Sequence, residues 1–219
     1  MTVMMRPLPR PVPLRQSVYD ALIDLIVGGE LRPGQHMVET DLARQLGVSR
    51  QPIREALHRM EAEGWVDLRP SLGAFVHVPT DSEVNDLLDV RALLEAETAR
   101  LAADAPSPAQ VARLREICRE GKAAADADEF SEAVAVNTLF HAEVAAIGGN
   151  AVLAELADIV GRRVQWYYRL VAPERAHGAW TEHGELIDAI EENDAERAEA
   201  LARKHTERTR AAYHRPWEA

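Results

Sequence analysis

The sequence has few cysteines, few aromatic residues and no long apolar segment, and each scarcity excludes a class of protein. Cys118 is the only cysteine among 219 residues, which excludes a disulfide framework and a cysteine zinc cluster. Aromatic residues make up 5% of the chain and hydrophobic residues 47%, a composition that favours a soluble helical protein over a β-sandwich. No apolar run approaches the ~20 residues that cross a bilayer, and residues 1–15 lack the apolar core of a secretory signal. We therefore expect a cytoplasmic protein with no membrane partner, long enough for two modest domains.

Charge is distributed unevenly along the chain. Residues 1–78 contain nine arginines, no lysine and nine acidic residues, so the whole net charge of −11 belongs to the remainder. A neutral first part with clustered arginines is compatible with a nucleic-acid surface, whereas the acidic second part is not. The second part is therefore expected to have a different task.

The stretch Glu39–Gly64 predicts a short helix, a tight turn and a second helix. Gly47 permits the positive φ of a sharp stop, and Ser49 is a good N-cap residue. The second helix has a buried stripe at i, i+4 and i+7, formed by Ile53, Leu57 and Met60. Off that stripe lie, among other polar residues, Arg50, Gln51, Arg54 and His58. A helix docked in a major groove meets base edges and phosphates through such residues. From spacing alone, an ordinary helical hairpin with a solvated basic face is an equal alternative.

The motifs around this stretch resemble a known family. The run LARQLGVSRQPIREALHRMEAEGWV, followed by LRPSLGAFV, closely resembles the winged-helix domain of GntR-family bacterial transcriptional regulators, and SVYDALIDLIVGGELRPGQHMVE resembles its first helix and LRPG turn. The resemblance implies a winged-helix domain at residues 14–78, and the prolines of the preceding stretch predict a disordered arm at 1–13. The resemblance also implies a homodimeric regulator, expected to be a repressor, that binds a double-stranded DNA operator. The implied DNA contacts are Thr40, Ser49, Arg50, Gln51 and Arg54.

The wing of this domain departs from the family pattern. Two short strands are predicted at Val66–Arg69 and Ala74–Val78. The family usually has a glycine followed by a basic residue near the wing tip, where this chain has Ser71 and Leu72. Arg69 is the nearest substitute for a phosphate contact.

The second half predicts helices and no convincing strand. After a linker at 79–83, with Asp81 or Ser82 as the cap, six helical patterns follow at 84–104, 108–125, 130–147, 152–171, 180–192 and 195–213. One of the breaks between them falls at Ala172-Pro173. Short connections predict an antiparallel bundle over residues 84–215. The expected fold is thus mainly α: an N-terminal winged helix-turn-helix followed by an antiparallel α-helical bundle.

Three histidines occupy otherwise apolar helical faces of this bundle. They are His141, which follows Asn137 by one turn, His183 and His205. A single such histidine is more often a core residue, but three on separate helices can converge on one point. Imidazole nitrogens suit zinc, nickel, copper or iron. Spacing alone leaves both interpretations open.

The second half also resembles a known domain. The patterns VRALLEAETARLAA, NTLFHAEVAAIGGN and TEHGELIDAIEENDAERAEALARKH resemble the FCD-type effector domain of the FadR subfamily of GntR regulators. In metal-binding members an Asp and a His four residues apart, and one His from each of two later helices, hold the metal. The resemblance carries these roles to Asn137, His141, His183 and His205, with an amide in the place of the usual carboxylate. It implies a divalent transition metal, zinc first and nickel or manganese as alternatives, in an effector-binding and dimerisation domain.

A site with uncharged ligands and a divalent ion favours an anionic oxygen donor, so we expect a small carboxylate effector. Arg91 is the candidate clamp for the carboxylate, Glu95 one turn later can orient it, and Arg162 is a weaker candidate. The alternative for Arg91 and Glu95 is a simple i, i+4 salt bridge.

Two further functional alternatives remain. One is the same regulator with a metal-free effector pocket. The other is a metalloenzyme fused to a DNA-binding domain. His141-Ala142-Glu143 matches half of a deaminase signature, but the Pro-Cys-x-x-Cys half is missing. Glu182-His183 lacks the second histidine of a zincin motif. We therefore expect a regulator and not an enzyme.

Overall fold

The computed structural model describes residues 13–214, apart from the side chain of Leu170, and these residues form two compact units that divide between Val78 and Pro79. The predicted arm lies outside the described residues except for Pro13, and so does residue 215 of the predicted helical domain. Over the described range, the helices are too short or too polar to cross a bilayer.

The first unit has its helices and strands in the order of a winged helix. Its elements are α1 Leu14–Val27, β1 His36–Met37, α2 Glu39–Gln45, α3 Arg50–Ala62, β2 Val66–Arg69 and β3 Gly73–Val76. The sheet order is β1-β3-β2 with both pairs antiparallel, and Leu68 lies opposite Ala74 in the hairpin. The α2–turn–α3 segment and the β2–β3 hairpin confirm the predicted winged helix-turn-helix.

The core of this unit fixes the orientation of α3. Leu22 and Ile26 of α1, and Ile53 and Met60 of α3, have no exposed surface. Each large apolar side chain buried in this way contributes about 1.5–3 kcal/mol to folding. Gly47 adopts a φ of +65°, which lets the chain turn sharply between α2 and α3. The buried stripe therefore faces α1, and the opposite, arginine-bearing side of α3 faces water.

The second unit is a helical bundle. Over its described residues it has five helices: α4 Asp81–Ala102, α5 Pro108–Asp126, α6 Phe130–Ile147, α7 Ala151–Glu191 and α8 Ala195–Tyr213. Its core includes Leu114, Ile117, Phe140, Ile187 and Ile190. The turn at 148–150 joins α6 and α7 as packed neighbours, and α8 packs along α4. The bundle confirms the predicted fold class.

The predicted break at Ala172-Pro173 is wrong, because α7 runs through it as one helix of 41 residues. A proline inside a helix removes a hydrogen bond and costs about 3 kcal/mol. Buried side chains on both sides, Val171 before the proline and Ala176 and Trp180 after it, hold the helix against its neighbours. Tertiary packing thus outweighs the local penalty.

The predicted cap of the first bundle helix is also wrong. α4 begins at Asp81, and the cap is Thr80, whose side chain accepts a hydrogen bond from the Glu83 backbone N–H. Glu83 bonds back to the Thr80 backbone N–H and completes a capping box. The cap and the start of α4 thus lie inside the stretch 79–83 that the sequence assigned to a linker.

Candidate metal centre and nucleic-acid interface

Three helices of the second unit bring three imidazoles together. His141 of α6, His183 of α7 and His205 of α8 each offer a ring nitrogen, and these atoms all lie within 4.8 Å of one another. The ring centroids are 4.8–5.2 Å apart. His183 is 1% exposed and His205 4%. Phe140 stacks on the His183 ring at 4.1 Å and fixes its plane.

Several polar atoms at this cluster have no hydrogen-bond partner within the described chain. They are both ring nitrogens of His183, Nε2 of His205, Oδ1 of Asn137 and Nη1 of Arg91. A buried polar atom without a partner costs about 1–3 kcal/mol. Imidazole nitrogens and an amide oxygen are transition-metal ligands. The histidines present therefore fit a bound metal ion, with His183 and His205 offering unused ring nitrogens. Asn137, one helical turn before His141 on α6, has a buried and unpaired amide oxygen.

Burial keeps the three histidines neutral. It lowers the pKa of His141 and of His183 well below the ordinary histidine value. Burial also lowers the pKa of His205, to about 4, although its hydrogen bond with Glu182 acts in the opposite direction. Neutral imidazole is the form that binds a metal.

Glu182 orients one of these rings, a role that the sequence analysis did not predict. Its Oε2 lies 2.8 Å from Nδ1 of His205 and also accepts from Arg175, while its Oε1 accepts from Arg208 at 2.6 Å. Burial alone would raise the pKa of Glu182, but the hydrogen bonds from His205 and Arg175 lower it to about 2. A carboxylate on Nδ1 leaves the Nε2 lone pair of His205 directed at the cluster, as in many metal sites. Sequence spacing carries no signal for this contact.

Arg91 and Glu95 form the predicted i, i+4 salt bridge and also contact the cluster. Arg91 Nε donates to Glu95 Oε1 at 2.7 Å, and Arg91 Nη2 lies 3.2 Å from Nε2 of His141. Glu95 Oε1 is 3.2 Å from Nδ1 of the same ring. Thr206 Oγ1 donates to the other Glu95 oxygen at 3.2 Å. Both ring nitrogens of His141 therefore have protein partners, unlike those of His183.

A cavity of about 210 Å³ opens beside the cluster, between α4, α6 and α7. Its charged end includes Arg91, Glu95, Asn137 and His141, and Gln165 also lines it. The structure does not bring Arg162 to this cavity. That side chain is exposed and pairs with Asp158, one turn earlier on α7, at 3.7 Å. Its neighbours Gly161 and Val164 are among the positions of α7 that do line the cavity.

The predicted DNA contacts of the first unit are all exposed. They are Thr40, Ser49, Arg50, Gln51, Arg54 and Arg69. Ser49 occupies the N-cap position of α3 in extended backbone, but its side chain makes no capping hydrogen bond. Gln51 Nε2 donates to Glu55 at 2.9 Å.

Glu39, which the sequence analysis considered only as a helix start, holds the two arginines of α3. Arg50 Nη2 donates to Glu39 Oε2 at 2.9 Å, and Arg54 donates to both Glu39 oxygens at 3.0 and 3.2 Å. The hydrogen bonds from Arg54 and Arg50 lower the pKa of Glu39. The two guanidinium groups thus lie together at the exposed start of α3.

A groove of about 220 Å³ lies between α3 and the wing. Arg54 and His58 line one side, and Arg69 and Ser71 the other. The Arg69 guanidinium lies 4.3 Å from the centre of the Phe75 ring, a cation–π contact that holds it on the wing.

The first unit is therefore a winged-helix DNA-binding domain, and the chain is of the class of transcriptional regulators that join such a domain to a helical bundle. Residues 14–76 match the family described as bacterial regulatory proteins, gntR family, and residues 86–208 match the FCD domain. The chain belongs to the GntR family and carries an FCD domain.

The relatives of this chain are regulators. It is 31% identical to the Nta operon transcriptional regulator of Aminobacter aminovorans over 65% of this chain and 67% of that protein. It is 27% identical to a probable D-xylose utilization operon transcriptional repressor of Paenarthrobacter nicotinovorans, over 86% and 84% of the two chains. The structure of E. coli McbR/YncC has the same fold, with a TM-score of 0.79 at 22% identity over 93% of this chain and 98% of that one. The matched domains and these relatives are transcriptional regulators, not enzymes.

Proposed function

We propose that this chain is a homodimeric transcriptional repressor that binds operator DNA through its first unit and a small carboxylate at a metal centre in its second. The observation that carries the proposal is the buried imidazole cluster, which has unpaired ring nitrogens on His183 and His205 and whose third ring, His141, lines a cavity that also contains an arginine. The similarity to a probable repressor of a utilization operon supports the direction of control.

Operator binding would use the exposed arginines at the start of α3. Arg50 and Arg54 would exchange Glu39 for phosphate oxygens and base edges, because a guanidinium group binds either bidentately. Thr40, Ser49 and Gln51 would add polar contacts, and Arg69 on the wing would contact the adjacent backbone. In a dimer with two-fold symmetry, each first unit would bind one half of a near-palindromic site.

The metal would be held by His183, His205 and Asn137, with His141 as the fourth ligand. Zinc fits this set best, with nickel and manganese as alternatives. When bound, the ion would supply a positive charge that coordinates an anionic oxygen, because the ligands are neutral and cancel none of its charge. Arg91, which is 2% exposed and has an unpaired Nη1, would bind the same carboxylate group.

A homodimer is supported by an exposed apolar stripe on the second unit. Val152, Leu156 and Ile159 are 67%, 48% and 53% exposed, and their i, i+4, i+7 spacing places them on one face of α7. Exposed apolar stripes of this kind are typical of protein–protein contacts.

A metal-free effector pocket in the same regulator is the second candidate, and one contact favours it. The Nε2 lone pair of His141 accepts from Arg91, so this nitrogen is already in use without a metal. In that case the histidines would serve as hydrogen-bond partners for the effector.

One experiment tests the proposal with the full-length protein. An operator is first selected from random duplex DNA, and binding is measured by fluorescence anisotropy with and without zinc and a panel of small carboxylates. We expect Arg54→Ala to weaken operator binding by about 10- to 100-fold. The control variant Arg113→Ala, at a partly exposed arginine of α5, should have no effect. We expect His183→Ala to keep operator binding and lose the response to a carboxylate.

Three outcomes would contradict parts of the proposal. Unchanged operator affinity in Arg54→Ala would reject the DNA-binding role of α3. A carboxylate response without bound metal that survives His183→Ala would favour the metal-free candidate. A wild-type protein that responds to no carboxylate would reject the proposed effector class.

A further inference from the structure

The cavity beside the histidine cluster has two unlike ends, and this polarity selects among carboxylates. Arg91 of α4 lies against His141 of α6, and Leu101 of α4 lies against Gly148 at the end of α6. The two helices therefore run in the same direction along the cavity. From Arg91 to Thr98 the axis of α4 advances by about 10 Å.

The charged end of the cavity lies beside the first helical turn of this segment of α4. It contains Arg91, Glu95, Asn137 and His141. Among the described residues that line the cavity, Arg91 is the only one with a permanent positive charge. Its Nε bonds to Glu95 and its Nη2 to His141, which leaves the buried Nη1 without a partner. This end thus has one guanidinium nitrogen without a partner, and Arg162, an arginine near the cavity wall, is already paired with Asp158.

The other end of the cavity is apolar. Its wall is formed by Leu94 of α4, by Ala142 and Ala145 of α6, and by Ala154, Ala157 and Val160 of α7. Two threonines, Thr98 and Thr138, also line the cavity, but their hydroxyls donate to backbone carbonyls of their own helices. They therefore offer no unused donor to the hydroxyl or carboxylate groups of a ligand.

The described residues on the α7 side of the cavity offer no unpaired cation to a second carboxylate. Asp158 lines the cavity and pairs with the exposed Arg162 at 3.7 Å. A dicarboxylate that placed one group at Arg91 would carry the other toward an apolar wall or toward this existing ion pair. The cavity volume of about 210 Å³ is many times the ~10–15 Å³ that one water molecule needs. It therefore leaves room for a tail of several carbon atoms.

We infer that the cavity binds a monocarboxylate with a short apolar tail, the carboxylate at Arg91 and the tail between Leu94 and the alanines of α6 and α7. This inference rests on the proposed function and narrows its effector class. A dicarboxylate of the same length binds more weakly than the monocarboxylate, because its second charged group finds no unpaired cation among the described residues at the apolar end.

The test is calorimetric titration of the zinc-loaded full-length protein with matched acids. Acetate, butyrate and hexanoate differ only in tail length, and succinate and adipate add a second carboxylate to the four- and six-carbon chains. Each added methylene is expected to tighten binding by about threefold to fourfold. Adipate is expected to bind at least about 10-fold more weakly than hexanoate.

A glycine pair in α7 supplies a variant and its control. Gly161 lines the cavity, and a Cβ added there would meet nothing within 4 Å. The cavity-lining positions of α7 recur at helical spacing around Gly161, so a leucine there projects into the cavity. Gly184 has the same open space but does not line the cavity. Gly161→Leu should reduce hexanoate affinity to that of acetate, whereas Gly184→Leu should leave it unchanged.

The outcomes separate this inference from the proposed function. Adipate or succinate binding as tightly as the monocarboxylate of equal length would overturn the inference and leave a carboxylate effector intact. So would equal affinities for acetate and hexanoate, or unchanged hexanoate affinity in Gly161→Leu. Failure of all five acids to bind the wild-type protein would instead reject the carboxylate effector itself.

Discussion

The ion pairs at the two candidate sites, one in each unit, differ in their access to water. In the first unit, Arg50 and Arg54 are 57% and 49% exposed where they meet Glu39. In the second, Arg175 and Glu182 are 7% and 10% exposed. An exposed pair is screened and contributes little, so its members can exchange one partner for another. A buried pair has lost its water and holds its geometry, because separating its members leaves a desolvated charge.

This contrast fits the task proposed for each unit. DNA phosphates compete with Glu39 for the arginines of α3, which requires groups that are easily released. A metal centre requires ligands held in fixed directions, and Glu182 fixes His205 only because Arg175 and Arg208 hold Glu182 in turn.

The largest expected effect is on the stability of the second unit. Glu182→Ala removes the shared partner of Arg175 and Arg208 and leaves Arg175 buried without its carboxylate. We expect the free energy of unfolding to fall by about 3–5 kcal/mol. The matched variant is Glu191→Ala, which removes an exposed partner of Arg115 and should cost about 0–1 kcal/mol. Urea denaturation of the metal-free protein measures the free energy of unfolding of both variants. Equal losses of stability would show that burial does not make the Glu182 ion pairs more important than the Glu191 ion pair.

The sequence predicted features set by neighbours along the chain better than features set by distant partners. The stripe of Ile53, Leu57 and Met60 and the turn at Gly47 depend on local spacing, and the structure has both. Each histidine could be assigned to a helix face by periodicity, and resemblance to a domain supplied the ligand set. The structure then brings the three rings together.

Other features depend on contacts that spacing does not encode. The pairing of Glu182 with His205 spans 23 residues, and that of Glu39 with Arg54 spans 15. The helix through Pro173 persists because of side chains that pack on it from other helices. Arg162 was predicted as a weaker carboxylate-binding residue because it lies among apolar residues of the sequence. The spacing of those residues does not show which face of α7 packs against α4 and α6.

An intermediate effect is expected on metal affinity. Glu182→Gln retains an acceptor for His205 but removes the negative charge that increases the basicity of the ring. Loss of such an outer partner typically weakens metal binding by about 10- to 100-fold. Zinc affinity is measured by competition with a chromophoric chelator, and the control is Glu185→Gln, an exposed position on the same helix. An unchanged zinc affinity, in protein that folds normally, would mean that His205 is not a ligand oriented by Glu182.

The smallest expected effect is on DNA binding and concerns the exposed ion pairs of Glu39. Glu39→Gln removes the negative charge that Arg50 and Arg54 share, so both guanidinium groups become available to phosphates without first losing an ion pair. We expect nonspecific binding to random duplex DNA to tighten a few-fold and its dependence on salt to become steeper, because less charge opposes the release of counterions. The unfolding free energy should change by less than about 1 kcal/mol.

Anisotropy over a salt series measures the DNA effect, with Glu55→Gln as a control, since Glu55 bonds to Gln51 and to neither arginine in the described contacts. A loss of DNA binding in Glu39→Gln would contradict this expectation. It would mean that Glu39 holds the arginines in the orientation that DNA requires. The exposed pair would then be a fixed part of the interface, as the buried pair is of the metal centre, and exposure alone would not predict which charges exchange partners.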